Sequence, residues 1–321
     1  MTKVLIISNK FDLTADFIVQ RLREKNTSFY RFNTEELTHS VSISLDFSSD
    51  SFRLFDATIN ESFELKDFSA VYFRRPEIPL FDFQNLTTGE VRFLRNEILF
   101  LLEGVYKILR CAYWVSPLYA IREAENKVYQ LEVAQALEFD IPESLISNSY
   151  ITSKSFYKRN RGECIIKPIK SGLVDDADST AIFTSQLTQF PASEAQVECF
   201  PSFIQRHVEK EADVRVICVG NNVFATLIHS QSHTSTKIDW RKGQVMLEHT
   251  SIDIPVALKE KCITLLKFLG LKFGALDFIL DKKGNYIFLE INPNGQWAWI
   301  EKLTGHDISS KITDLLIHED F

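Results

Sequence analysis

The segment 274–292, reading GALDFIL-DKKG-NYIFLEIN, constrains this chain more than any other, because it sets two acids against each other across a predicted hairpin. With the turn centred on Lys283-Gly284, strand pairing is symmetric and Asp277 falls opposite Glu290. Side chains alternate faces along a strand, so Asn292 joins Glu290. Directly opposed Cβ atoms stand roughly 4.5–5.5 Å apart. Two carboxylates at that distance repel unless a proton or a cation bridges them. An aspartate, a glutamate and an asparagine amide oxygen form an oxygen half-shell that suits Mg²⁺ and leaves positions for phosphate oxygens and water. The plainer alternative is a hairpin with one solvated polar face. Leu276, Phe278, Leu280, Phe288, Leu289 and Ile291 weigh against it, since they make both strands apolar.

Around this hairpin the pattern is mixed. Residues 4–8 and 28–32 read as strands flanking an amphipathic helix that Thr14 would cap, which is an α/β opening. Residues 41–66 alternate as short antiparallel strands, and 70–73 form a buried strand running into Arg74-Arg75-Pro76. Thr87 with Glu90 is a capping box opening a long helix to about residue 109. A helix is predicted over about 124–137 and a strand over 144–147. Strands follow at 164–169 and 202–208, with a polar loop through Thr180 between them. Residues 213–230 form a hairpin about the pair Asn221-Asn222, and helices follow at about 256–269 and 307–317. These elements divide into 1–118, 119–208 and 209–321, and 321 residues suit two or three packed units.

A formal net charge of −7 argues against a duplex nucleic-acid binder, which needs a basic footprint. No apolar stretch is long enough to span a membrane or serve as a secretion signal. The five cysteines lack paired spacing and read as reduced core thiols of a cytoplasmic protein.

Several basic residues could serve an anion. Lys167 lies inside the apolar run 164–166, either snorkelling from an edge strand or meeting a phosphate. Lys127 starts a helix, where the dipole favours anions, yet alone it also suits a solvated position. Arg215 and Arg241 each read alone as surface charges, with Asp213 and Arg215 as an exposed ion pair. Arg74 and Arg75 could receive a peptide carboxylate or bridge two domains, and His207 and His249 are candidate bases.

The order of motifs resembles the ATP-grasp superfamily over about 120–300: Asn126-Lys127, Ile165-Ile166-Lys167-Pro168, Gln205-Arg206-His207-Val208, Asp213-Val214-Arg215, Asp239-Trp240-Arg241, Asp277, and Glu290-Ile291-Asn292-Pro293-Asn294-Gly295. With Tyr72-Phe73-Arg74-Arg75-Pro76 and Phe139-Asp140-Ile141-Pro142, the chain looks like the microviridin-type peptide ligases, or graspetide synthetases. The resemblance implies an N-terminal pre-ATP-grasp α/β domain, a small central domain and a C-terminal antiparallel-sheet domain of mixed α/β and α+β class. It implies that Lys127 and Lys167 contact ATP phosphates, that Gln205, Arg206, His207 and Val208 line the adenine, and that Asp213 meets the ribose. Arg241 and Arg215 would hold the γ-phosphate or an acyl phosphate, and Asp277, Glu290 and Asn292 would hold Mg²⁺. The loop at Ser171-Gly172 departs from a glycine-rich phosphate cradle. The implied partner is a precursor peptide with a leader and an acidic core, cyclised through esters or amides, and the implied assembly is a homodimer. Addition of a free amino acid, and a regulator that binds nucleotide without turnover, are the competing expectations.

Overall fold

The structure is a computed structural model, and it describes residues 2–79, 86–170, 182–242 and 245–318. The N-terminal part alternates β1 (Lys3–Ser8), α1 (Leu13–Glu24) and β2 (Ser28–Asn33). A three-stranded antiparallel insert follows, β3 (Val41–Asp46), β4 (Ser51–Asp56) and β5 (Glu61–Glu64), and then β6 (Ala70–Phe73), α2 (Thr88–Ile108) and β7 (Tyr113–Val115). Strands β2-β1-β6-β7 form one parallel sheet. Its strands read as continuous apolar runs because both faces are covered. Leu5, Ile7, Val71 and Phe73 pack with α2, while Val4, Ile6, Ala70 and Tyr72 pack with α1. The capping box predicted at Thr87 and Glu90 is present. Helix α1 is capped by Asp12, whose carboxylate accepts the N–H of Thr14, so Thr14 lies two positions too far into the helix to be the cap itself.

The middle of the chain holds α3 (Leu118–Ala124), α4 (Lys127–Ala136), β8 (Ser144–Ser147), α5 (Tyr150–Arg159), β9 (Cys164–Lys167), β10 (Ser185–Gln186), α6 (Glu194–Glu198) and β11 (Ser202–Arg206). The helix expected over 124–137 is α4, which starts at Lys127 where the Asn126 side chain turns back to accept the N–H groups of Val128 and Tyr129, and α3 is a separate helix before it. Strands β10-β9-β11-β8 form a small antiparallel sheet. The predicted polar loop through Thr180 lies largely outside the described residues.

The last part is β12 (Lys210–Val219), β13 (Asn222–Ile228), β14 (His249–Ile252), α7 (Val256–Phe268), β15 (Phe273–Asp281), β16 (Tyr286–Asn292), α8 (Ala298–Thr304) and α9 (Ile308–His318). The five strands form one antiparallel sheet ordered β14-β13-β12-β15-β16. The first turn lies at Gly220-Asn221, since Val219 pairs with Asn222 and glycine supplies a φ of +54°. One sheet face packs Val214, Val216 and Cys218 against α7. On the other, Ile217, Val219, Phe273 and Ala275 join Trp297, Ile312 and the α1 side of the N-terminal sheet. That cover stops before Asp213, Arg215 and Asp277, leaving this stretch of sheet for a site. Of the five cysteines, Cys164, Cys218 and Cys262 are core thiols, whereas Cys111 and Cys199 are exposed.

Candidate active site

Asp277 pairs with Glu290 as the sequence predicts, but by another route. The turn centres on Lys283, with Leu280 opposite Tyr286 and Phe278 opposite Phe288. Leu289 is then an extra residue, and past this β-bulge Asp277 meets Glu290 and Ala275 meets Asn292. The bulge also separates two environments. Phe288 and Glu290 would share a face in a regular strand; instead Phe288 packs on Phe278 and Phe139, with ring centroids 5.6 and 5.2 Å away, while Glu290 turns outward.

Outward lies a cleft of about 520 Å³ between the middle sheet and the last one. Ile165, Ile238, Ile279 and Leu289 give it an apolar lining; Lys127, Lys167, Arg241, Asp277, Glu290 and Asn292 give it a charged one. Along β15, Ile279 is one same-face step from Asp277, so the two linings adjoin.

The cations converge on the two acids. Lys127 Nζ is 3.0 Å from Glu290 Oε2, Arg241 Nη1 is 3.8 Å from Glu290 Oε1, and Arg215 Nε is 2.7 Å from Asp277 Oδ1. Lys167 Nζ lies 4.6 Å over the Phe203 ring. Burial pushes the Asp277 carboxyl up to about 6, Arg215 opposing and Glu290 adding to the rise. Burial also acts on Glu290, but Lys127, Lys167 and Arg241 outweigh it and leave that carboxyl below its ordinary value. Burial, aided by Lys127 and Arg241, pulls the Lys167 ammonium down to about 8 against the pull of Glu290. The snorkelling alternative for Lys167 therefore fails: β9 lies inside its sheet, and the ammonium points at other charges.

Other expectations change. Asp213 and Arg215 are not an exposed pair. Asp213 is buried and takes Lys210 Nζ at 2.9 and 2.6 Å, while Arg215, also buried, turns to Asp277. Lys210 and Asp213 share a side because β12 is irregular between Lys210 and Ala212. Gln205, Arg206, His207 and Val208 all line the cleft. The Gln205 amide donates to Ser144 Oγ at 2.8 Å, and the N–H groups of Arg206 and His207 go to the carbonyls of Glu143 and Glu163. Ser171 and Gly172 lie outside the described residues. Arg74 is 1% exposed and bridges domains, with Nε 3.4 Å from Asp12 Oδ2 and Nη1 donating to the Asn294 and Gly295 carbonyls. It is not placed to receive a peptide carboxylate, whereas Arg75 is exposed.

Sequence reasoning missed three supporting residues. Asp239 accepts Arg241 Nε and Nη2, both at 2.9 Å, and fixes that guanidinium; the Asp-x-Arg spacing was its signal. Lys210 carried no signal beyond its nearness to Asp213. Gln130, buried on α4, accepts the N–H of Ile291 at 3.1 Å and donates to its carbonyl at 2.8 Å. It pins the helix bearing Lys127 to the strand bearing Glu290.

Asp277, Glu290 and Asn292 supply only part of a metal shell. Among the described residues no three His, Cys, Asp or Glu side chains gather as a complete site. Two partly buried carboxylates and an amide oxygen, rimmed by Lys127, Lys167 and Arg241, fit Mg²⁺.

Residues 124–316 match the RimK-like ATP-grasp domain, and residues 3–122 match the MvdD pre-ATP-grasp domain. Two proteins described as probable alpha-L-glutamate ligases, from Shewanella halifaxensis and Shewanella pealeana, are 23% and 25% identical over 203 and 204 residues. Each match is 61% of this chain and 42% of the relative, so the chain spans under half the length of these relatives. A Chryseobacterium gregarium RiPP-associated ATP-grasp ligase, solved with ADP and a leader and core peptide, superposes with a TM-score of 0.89 at 24% identity, covering 100% of this chain and 98% of that one. The macrocyclase MdnC of Microcystis aeruginosa, bound with precursor peptide MdnA, gives 0.85 at 24% identity over 99% of both chains. At such identity the likeness fixes the fold.

Proposed function

Because this chain belongs to the RimK-like ATP-grasp family, we propose that it is an ATP- and Mg²⁺-dependent ligase that activates Asp or Glu side chains of a ribosomally made precursor peptide and closes them onto Ser, Thr or Lys side chains. The observation that carries the ligase reading is the meeting of Asp277, Glu290 and Asn292 with Lys127, Lys167 and Arg241 in one cleft, with Arg215 paired to Asp277 beside it. The pre-ATP-grasp match over 3–122 supports a peptide substrate, as does the likeness to ligases solved with leader and core peptides.

A carboxylate is a poor electrophile because oxide is a poor leaving group, and phosphorylation supplies a better one. The apolar lining would take the adenine, beside residues 205–208, and Asp213 the ribose end through the oxygens it shares with Lys210. Lys127 and Lys167 would hold ATP phosphates, exchanging Glu290 for phosphate oxygens. Arg241, held by Asp239, and Arg215 would neutralise charge on the transferring group. Mg²⁺, held by Asp277, Glu290 and Asn292, would offset phosphate charge. We read residues 1–118, 119–208 and 209–321 as the three units, and the enzyme as a cytoplasmic homodimer; among the described residues no helix is long and apolar enough to cross a membrane.

The glutamate ligase relatives favour a second reading, addition of a free amino acid. Incubation with Mg-ATP and an acidic precursor-like peptide, of the kind sought beside the gene, separates the two. Ring closure predicts ADP release and a loss of about 18 Da per ring, the mass of water, both abolished by Glu290→Gln. A gain in mass would establish amino-acid addition instead, and ATP binding without ADP formation would leave a regulator.

A further inference from the structure

The sheet face that carries Asp277 and Arg215 continues onto β13 and β14. Arg215, Thr226 and Ser251 stand in one row across the strands, and Asp213, Ile228 and His249 in the next. His249 therefore shares a face with the charged cluster. Its ring meets Trp299 edge-on with centroids 5.0 Å apart, Trp299 lies 5.7 Å from Trp240, and Trp240 lies 5.7 Å from the Arg215 guanidinium. Trp240 lines the cleft. These four side chains and Thr226 surround a spot on the side of Arg215 away from β15.

Three buried polar atoms at this spot lack a hydrogen bond of good geometry: both ring nitrogens of His249, which lies near the Leu247 backbone, and the Thr226 hydroxyl. Such groups are uncommon in folded proteins and destabilising unless a ligand satisfies them. Adjacent strands lie roughly 4.8 Å apart, so about 10 Å separates Arg215 from the strand of His249. To be attacked at Arg215, an acyl phosphate would need a small hydroxylic side chain to reach across that span to the imidazole.

We propose, on the ligase reading above, that His249 is the general base of ring closure. The oxygen of a peptide Ser or Thr bonds to the acyl carbon while its proton passes to an imidazole nitrogen of His249. The bond from acyl carbon to phosphate oxygen breaks, phosphate leaves with the electron pair, and the imidazolium returns its proton to water. Burial holds the imidazole below its ordinary value, the Leu247 backbone opposing and His229 adding to the fall, so the ring is neutral at pH 7 and able to accept.

Hydroxylamine separates the half-reactions, because it traps an acyl phosphate as a hydroxamate without an enzymic base. With Mg-ATP and the precursor peptide, His249→Ala and the bulkier His249→Gln are expected to form hydroxamate within about twofold of wild type. Without hydroxylamine their ring closure is expected to fall about 10²- to 10⁴-fold, with imidazole in solution partly restoring the alanine variant. Wild-type ring closure in either variant would overturn the assignment. So would parallel loss of hydroxamate and rings in the folded glutamine variant, the mark of a packing role. Wild-type protein that forms no hydroxamate would sink the ligase reading itself, and the assignment with it.

Discussion

Lys167 has Phe203 beneath it, Lys127 and Arg241 nearby, and Glu290 as its main anionic neighbour, a setting that brings its ammonium to about 8. A phosphate favours the charged form, so nucleotide binding is linked to protonation. Below pH 8 the ammonium is already charged and binding takes up no proton. Above pH 8 each bound nucleotide must draw one, so ATP affinity is expected to weaken as pH rises, by up to tenfold per unit. Calorimetry between pH 7 and 10 in buffers of different ionisation enthalpy reads the uptake directly. Its absence above pH 8, or its survival in Lys167→Met, would assign phosphate binding elsewhere. Lys167, Asp277 and Glu290 were legible because each is a charge embedded in an apolar strand, which demands a partner. Lys210 was not, because an ordinary surface charge looks the same in sequence, and Asp239 stood in the Asp-x-Arg motif without a role of its own. Only the folded chain shows them buried, against Asp213 and Arg241.

Two β-bulges shape the site at the level of elements. One, at Leu289, turns Glu290 toward the cleft; the other, between Lys210 and Ala212, lets Lys210 reach Asp213. Alternation alone cannot reveal either, because a bulge changes which face a residue takes without changing composition. The predicted pairing of Asp277 with Glu290 held because two departures cancel: the turn centre moves half a residue and the bulge moves it back. Helix α4 is tied to this hairpin by Gln130, which satisfies both backbone groups of buried Ile291 and the Ala124 carbonyl. Gln130→Leu leaves those groups unpaired at about 1–3 kcal/mol each where water cannot reach. The melting midpoint should drop by several degrees and ATP should bind more weakly as Lys127 loses its anchor, whereas Glu132→Ala on the exposed side of α4 should change neither. Equal melting of the two variants would remove Gln130 from this role.

At the scale of the whole molecule, the N-terminal sheet and the last sheet share one core, in which Ile6, Ile18 and Tyr72 pack with Ile217, Ala275, Trp297 and Ile312. The segment after the hairpin of β15 and β16 is the joint. Trp297 is fully buried and donates to the Tyr72 hydroxyl at 3.2 Å. Gly295 passes so close to Ala275 that a Cβ would lie 2.6 Å from the alanine methyl, so any side chain there would push the joint open. Arg74 closes the joint from the N-terminal side. Its guanidinium engages Asp12, Asn294 and Gly295, and its carbonyl accepts the Asn294 amide. The sequence left Arg74 undecided between substrate and bridge, because its partners lie 62 and 220 residues away. Arg74→Met keeps much of the volume but strands the Asp12 carboxylate in a buried site, a loss of about 3–5 kcal/mol when one partner of such a pair is removed. If the pair docks the domains, amide exchange should accelerate together around Asp12 and at residues 294–297, and ATP affinity should fall because Asn292 and Glu290 lie just before the joint. Faster exchange confined to the N-terminal sheet would mean that Arg74 serves its own domain and that the shared apolar core holds the hairpin in place without it.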